Sequence, residues 1–281
     1  MKIVYGDELA EKIYAQLRHK IAESSYRAPC LAVVLVGDDP ASTIYVAAKE
    51  KACQKAGIVA KTIRLGAKIS QDELRSVLRE LSAAEEVDGI LLQLPLPETL
   101  PEREMLEAID PAKDVDGLTL QNIAKLVVRE KDGFLPCTPA GVMRLLREMK
   151  APLSGKRAVI IGRSILVGLP LFQLLQQENC TVTLCHSKTE DLSAICQQAD
   201  ILVSAVGKAE MIKAKDVKLG AYVIDVGVSR VNGKIKGDIA FEEVKEKVAA
   251  ITPMPRGTGP MTIASLLENT YLAYCRRKQN D

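Results

Sequence analysis

Tryptophan is absent from the chain, phenylalanine occurs three times and histidine twice in 281 residues. So few aromatics leave no stacking platform for single-stranded nucleic acid. Two histidines, His19 and His186, exclude a histidine-rich metal centre and leave only two candidates for a catalytic imidazole. Excess charge of either sign is missing too: 38 Lys and Arg stand against 36 Asp and Glu, so neither a basic nucleic-acid footprint nor an acidic tail is present. No apolar run approaches the ~20 residues that span a bilayer. The start, MKIVYGDELAEKI, carries acids at once and lacks a signal-peptide apolar core. The seven cysteines, an odd number, form no C-x-x-C, and most lie in apolar surroundings where a thiol acts as a small core residue. These absences predict a cytoplasmic protein in a reducing compartment, with no metal, no nucleic-acid partner and no membrane span.

What is present is a sizeable apolar fraction, 47%, cut into short runs that alternate with helical stretches. Strands are predicted at 31–37, 59–65, 89–92, 158–161, 181–185, 201–205 and 222–226. Helices are predicted at 41–56, 71–83, 142–149, 168–177 and 191–197. Such alternation reads as parallel sheet in an α/β fold. Two α/β blocks separate, with a cleft expected between them: a first domain over 1–139 and a second, Rossmann-type dinucleotide-binding domain over 140–260. A last helix, 261–281, is expected to pack back on the first domain, because chain termini often lie close together.

The run AVIIGRSILVGLP reads as a strand entering a phosphate-binding turn. Gly162 permits the bend, Gly168 would open the next helix, and free N–H groups there favour an anion. Arg163 can pair bidentately with a phosphate, and Ser164 adds a hydroxyl. About twenty residues on, where an NAD enzyme carries an acid for the ribose, the sequence reads His186-Ser187-Lys188. That set suits NADP better, with Arg163 on the 2′-phosphate. The plainer reading is that Gly162 and Gly168 are ordinary turn and packing glycines.

In the first block, Tyr45 and Lys49 are four apart and share a helix face. A lysine there that loses its proton readily would serve as a base; a solvated face is the plain alternative. Short-chain dehydrogenases also use Y-x-x-x-K, but after the cofactor turn, whereas here it precedes it. Gln93 ends the run GILLQ and could bind a polar ligand or merely cap a strand. Asp114 and Asp116 lie in KDVDG, where a carboxylate could pair with an amino-pyrimidine-like group or form an Asx turn before Gly117.

Taken in order, YVAAK, LQLPLP, KDVDG, PCTPAG, GRSILVGLP, VTLCHSKT, ADILVSAVGK, VIDVGV and TPMPRGTGPMT closely resemble the bifunctional methylenetetrahydrofolate dehydrogenase/methenyltetrahydrofolate cyclohydrolase family, FolD, over roughly residues 6–269. The resemblance implies two reactions at one site: NADP-dependent oxidation of 5,10-methylenetetrahydrofolate, then hydrolysis of the methenyl product to 10-formyltetrahydrofolate. It makes Lys49 the key catalytic group and Gln93 its hydrogen-bond partner. Tyr45 would line the pterin site and Asp116 would anchor the pterin edge. Leu92, Leu94, Pro255, Gly259, Pro260 and Ile263 would also bind substrate, within a segment 255–263 closing over folate and nicotinamide. Gly162, Arg163, Ser164, Ser187 and Val228 would contact NADP, and His186 would line the adenosine pocket. A homodimer is implied as well.

The family's closing segment usually reads PGGVGPMT; here it is PRGTGPMT. Arg256 falls where glycine would serve a positive φ, and it is expected instead to contact a phosphate or the folate glutamate tail. Two further readings stay open on the residues: an amino-acid-type NADP dehydrogenase with an N-terminal substrate domain, and a non-catalytic dinucleotide-binding protein with an altered folate site.

Overall fold

The structure, a computed structural model, describes residues 1–278; residues 279–281 of the expected last helix lie outside the described part. The chain opens with β1 (Lys2–Ile3), α1 (Gly6–Ala22), β2 (Cys30–Val36), α2 (Pro40–Ala56), β3 (Val59–Leu65), α3 (Gln71–Ala83), β4 (Gly89–Leu92), α4 (Glu102–Leu106), α5 (Leu120–Val128) and α6 (Cys137–Glu148). It continues with β5 (Arg157–Ile161), α7 (Gly168–Gln177), β6 (Thr181–Cys185), α8 (Leu192–Cys196), β7 (Ile201–Ser204), β8 (Tyr222–Asp225), β9 (Ser229–Val231), β10 (Lys234–Lys236), α9 (Phe241–Val244), β11 (Ala250–Ile251) and α10 (Thr258–Lys278). Two compact units result. One comprises Met1–Ala10 and Thr138–Thr262; the other comprises Glu11–Cys137 and the chain from Ile263 onward.

The second of these is built on a three-stranded parallel sheet, β3-β2-β4. The central strand, CLAVVLV, is buried along its whole length, as a strand covered on both faces must be. Edge strand β3 keeps polar residues among its apolar ones and is partly exposed. Helix α3 starts at a capping box, Ser70 with Glu73, and buries Leu74, Leu78 and Leu81 at helical spacing. Those leucines join Ala32, Val34, Ile90 and Leu92 in one core.

The other unit holds a six-stranded sheet in the order β1-β11-β8-β7-β5-β6, with every pair parallel. After β5 the chain moves to β6 on one side, then to β7 on the other, so the order reverses between β5 and β7. Ligands of open α/β sheets bind outside the strand C-termini at such a point. A small antiparallel hairpin, β9-β10, follows β8.

Helix α1 lies outside the predicted elements, although its buried Ala10, Ile13, Tyr14 and Leu17 recur at helical spacing. The last helix begins at Thr258, ahead of the expected start at Met261. Gly259, Pro260 and Ile263 therefore occupy its first turns rather than a closing loop. Pro260 permits this because N–H groups in a first helical turn have no intrahelical acceptor to lose.

Candidate active site

Helix α2 carries Tyr45 and Lys49. Asp39 caps it by accepting a hydrogen bond from Ser42 N at 2.7 Å, Pro40 occupies its first turn, and Gly57 ends it at φ +78°. The caps fix its register, so that Lys49 is only 9% exposed while Tyr45, one turn earlier, is 42% exposed. Lys49 Nζ donates to Gln93 Oε1 at 2.6 Å. Gln93 sits just past the end of β4, and its Nε2 donates to Leu94 O at 2.6 Å. That second bond orients the amide so that its oxygen faces the lysine. Leu92 is buried under this corner and Leu94 is partly buried.

The KDVDG loop divides its work. Asp114 takes the Asx role: it accepts from Gly117 N at 3.0 Å, Thr119 N at 2.7 Å and Asn122 Nδ2 at 2.9 Å. Gly117, at φ +72°, allows the bend, and a Cβ there would come within 2.7 Å of Phe134 O. Asp116 is thereby free of the turn and lies in the same charge cluster as Lys49. Burial lowers the pKa of the Lys49 ammonium, opposed by Asp116 and by the thiols of Cys137 and Cys53. Burial also raises the Asp116 carboxyl, with Lys49 opposing and Asp114 reinforcing the shift. Desolvation thus outweighs attraction for both partners, and the uncharged forms are favoured relative to water.

One detail adds to the sequence reading. Cys137, first residue of α6, also belongs to the cluster: its Sγ donates to Val115 O at 3.3 Å, and burial beside Asp116 pushes its thiol well up. The motif PCTPAG pointed to this stretch, but a cysteine among apolar neighbours carries no mark separating a core thiol from one beside a carboxylate.

The candidate cofactor residues gather at the strand C-termini of the six-stranded unit. A Cβ on Gly168 would lie 1.9 Å from Gly162 O, and one on Gly162 (φ +119°) would lie 2.5 Å from Ala205 O. Both glycines are required by close approach of the strand, the turn and the helix. Ser164 Oγ accepts from Val167 N at 3.1 Å, which leaves its own O–H for an outside acceptor. The first turn of α7 has no side-chain cap; Leu169 N donates to Ser164 O at 3.0 Å and Leu171 N to Val167 O at 3.0 Å, and Pro170 carries no N–H. Arg163 and Ser164 are exposed there. In the neighbouring turn after β6, His186 Nδ1 accepts from Lys188 N at 3.1 Å and Thr189 Oγ1 accepts from His186 N at 2.8 Å. His186 folds that turn, and Ser187 and Lys188 are exposed on it. Val228 is exposed after β8, its carbonyl 3.5 Å from where a Gly207 Cβ would stand. The glycine cradle, the Ser164 hydroxyl and the exposed Arg163 fit a phosphorylated dinucleotide. Among the described residues no cluster of His, Cys, Asp and Glu is placed to hold a metal ion, and no helix is long and apolar enough to cross a membrane.

Arg256 does not point to a free anion site. It adopts φ +80°; its Nε donates to Asp7 Oδ2 at 2.6 Å, its guanidinium stands 3.5 Å from Glu8 Oε1, and it lies 4.4 Å from the centre of the Tyr5 ring. Its carbonyl accepts from Gly6 N at 2.8 Å and Asp7 N at 3.2 Å, which caps α1. The expected phosphate or glutamate-tail contact is thus replaced by a local one, because α1 brings two acids to the guanidinium. Pro255, beside it, is exposed.

Two family descriptions match the chain: the tetrahydrofolate dehydrogenase/cyclohydrolase catalytic domain over residues 4–116, and the NAD(P)-binding domain of the same enzymes over residues 136–278. The bifunctional protein FolD of a Sulfurihydrogenibium species is 49% identical over 281 residues, 99% of each chain. The crystal structure of FolD from Campylobacter jejuni superposes with a TM-score of 0.97 at 45% identity, over 99% of each chain. FolD of Trypanosoma brucei, solved with NADP cofactor and inhibitor, gives a TM-score of 0.94 at 35% identity, over 98% of this chain and 97% of that one.

Proposed function

The chain belongs to the tetrahydrofolate dehydrogenase/cyclohydrolase family, and from that premise we propose how its residues carry the two reactions. The enzyme oxidises 5,10-methylenetetrahydrofolate to the 5,10-methenyl form with NADP, then hydrolyses the methenyl form to 10-formyltetrahydrofolate. The full-length match sets aside the amino-acid-type dehydrogenase and the non-catalytic protein.

NADP, when bound, supplies the acceptor for the hydride that leaves the methylene carbon. No side-chain acid is needed for that transfer; the residues have only to hold the two carbons in contact. Gly162, Arg163, Ser164, Ser187 and Val228 hold the dinucleotide, with Arg163 and Ser187 reading the 2′-phosphate. The second step begins from a cation. Water adds to the methenyl carbon and loses one proton; the remaining hydroxyl proton passes to the ring nitrogen as the C–N bond opens and the carbon becomes the formyl carbonyl. Lys49 is the group for the proton that water loses: a neutral amine is tolerated beside a cationic substrate, and burial already favours it. Gln93 aims the amine, Asp116 pairs with the pterin edge, and Tyr45 lines the pterin face. Leu92, Leu94, Pro255, Gly259, Pro260 and Ile263 complete the substrate-binding set.

The observation that carries this reading is the 2.6 Å bond from Lys49 to an amide oriented by its own neighbour. Its test is a spectroscopic assay with 5,10-methylenetetrahydrofolate offering NADP and NAD in parallel, followed by the methenyl compound alone. Preferred reduction of NADP and loss of the methenyl chromophore are expected. Preference for NAD would overturn the roles of Arg163 and Ser187, and no turnover of the methenyl compound would overturn that of Lys49. The protein is further inferred to be a cytoplasmic homodimer. Support comes from seven free thiols, six of them buried, and from the family resemblance. Sedimentation at micromolar concentration tests the dimer.

A further inference from the structure

Behind the strand ends of the six-stranded unit lie two buried carboxylates to which neither reaction gives a role, Asp225 and Asp238, 2% and 0% exposed. Burial of a carboxylate is costly unless its oxygens are satisfied, and here backbone N–H groups and one hydroxyl do so. Asp238 Oδ2 accepts from Ser204 Oγ at 2.9 Å and from Val206 N at 2.8 Å; its Oδ1 accepts from Lys208 N at 2.7 Å. Asp225 Oδ1 accepts from Asp238 N and its Oδ2 from Ile239 N, both at 3.0 Å. Asp225 is in turn fixed at its own backbone, donating to Thr252 Oγ1 at 2.9 Å and accepting from Thr258 Oγ1 at 2.7 Å.

The bonds join three segments that share no strand: the outlet of β7, the outlet of β8, and the return after β10. Two glycines are required by the carboxylates themselves. A Cβ on Gly227 would stand 2.0 Å from Asp238 Oδ1, and one on Gly237 would stand 1.9 Å from Asp225 Oδ2. The placement matters because β7 flanks the point where strand order reverses. Asp238 grips Ser204 and Val206 on either side of Ala205, the residue whose carbonyl closely faces Gly162. The carboxylate therefore sets how far the β7 outlet stands from the phosphate turn. Gly227, pressed against Asp238, precedes Val228.

We propose that Asp238, held by Asp225, is a positioning residue of the dehydrogenase step: it fixes the loops after β7 and β8 against which NADP lies, and the cyclohydrolase step does not depend on it. This rests on the reading that NADP binds at this strand edge. An apolar residue of similar size could fill the space, but it could not aim the N–H groups of Val206 and Lys208.

The test uses the full chain and three variants, Asp238→Asn, Asp225→Asn and Ser204→Ala, each assayed for both activities. The amide introduced by Asp238→Asn offers one acceptor oxygen and turns its N–H₂ toward a backbone N–H. An NADP KM raised about tenfold or more is expected for it, with methenyl hydrolysis and its KM unchanged within about twofold. Ser204→Ala keeps the carboxylate and removes one donor; an NADP KM raised about threefold is expected, and this variant decides the matter if the Asn variants do not fold. A uniform fall of both activities, or an unchanged NADP KM in Ser204→Ala and in whichever Asn variants fold, overturns the proposal. NADP binding by the unmodified chain, followed as a thermal shift, separates the two failures. Without that shift the NADP reading itself falls and takes the proposal with it.

Discussion

In the three-stranded unit one buried ionisable side chain, Lys49, donates to the side chain of Gln93. In the six-stranded unit the buried carboxylate of Asp238 is met by three donors, two of them backbone N–H groups. Both groups are removed from water, yet the first keeps more unused hydrogen-bonding capacity than the second. An ammonium carries three donors, so Lys49 keeps N–H bonds, or after deprotonation a lone pair, for a substrate. The oxygens of Asp238 are committed to two backbone N–H groups and the Ser204 hydroxyl. A buried charge that is nearly satisfied builds a scaffold, and one left under-satisfied is available for chemistry.

The comparison breaks most visibly at Lys49. Lys49→Ala is expected to lower methenyl hydrolysis by about 10²- to 10⁴-fold, the range for a positioned acid–base group, while the thermal shift with NADP is retained. Lys49→Arg should fail nearly as badly, since a guanidinium does not deprotonate. Retained hydrolysis in both variants would take the base role away from Lys49. Gln93→Ala leaves the amine but removes its partner. A KM nearly unchanged with kcat reduced about tenfold is expected there, as for a charge-assisted bond of ~1.5 kcal/mol.

On the nucleotide side, Arg163→Ala is expected to weaken NADP by about ten- to a hundredfold, the scale of a charge-assisted phosphate contact, and to leave the KM for NAD alone. Equal losses for both dinucleotides would mean that Arg163 acts on the shared phosphates instead of the 2′-phosphate.

Most strands were legible because parallel strands buried on both faces read as short β-branched runs bounded by turns; β2 and β5 are plain cases. Helix α1 was legible in the spacing of Ala10, Ile13, Tyr14 and Leu17 but not in its start, which is capped by a distant carbonyl, that of Arg256. Tyr45, Lys49, Gln93 and Asp116 could be named one by one, and only their order alongside other motifs tied them together. Which aspartate of KDVDG turns the chain and which faces the lysine is decided by φ at Gly117 and by Asn122, eight residues beyond Asp114. Asp225 and Asp238 were invisible in function because the groups they bind are backbone N–H, which every sequence supplies.

In each unit burial raises one carboxyl, Asp116 in the three-stranded unit and Asp225 in the six-stranded unit. Burial, partly offset by the N–H groups of Ile239 and Asp238, raises the Asp225 carboxyl from 3.8 to about 7. The folded chain thus holds this proton more tightly than the unfolded chain does. Its contribution to stability is full below pH about 4 and is lost as pH rises toward about 7. The slope is on the order of 1 kcal/mol per pH unit inside that window. Asp225→Asn should flatten it, as read from Tm between pH about 4 and about 7 relative to the unmodified chain. An identical slope in both chains would show that Asp225 stays ionised throughout.

Arg256 sharpens the comparison at its smallest scale, where an exposed charge replaces a buried one. Its φ of +80° is a backbone strain that glycine would not carry. Against that strain stand an ion pair with Asp7, weakened by its exposure to water, and the attraction of the guanidinium to the Tyr5 ring. These effects are small and opposed, so Arg256→Gly should move Tm by no more than about 3 °C at low salt. It should be stabilising at about 1 M salt, where screening removes the ion pair but leaves the backbone strain. Asp7→Asn should destabilise only while Arg256 is present, which a double-mutant cycle in Tm resolves. Since the guanidinium is occupied by α1, the ratio of dehydrogenase to cyclohydrolase rates should stay within about twofold in Arg256→Gly. A larger change in that ratio would mean that Arg256 leaves Asp7 when folate arrives.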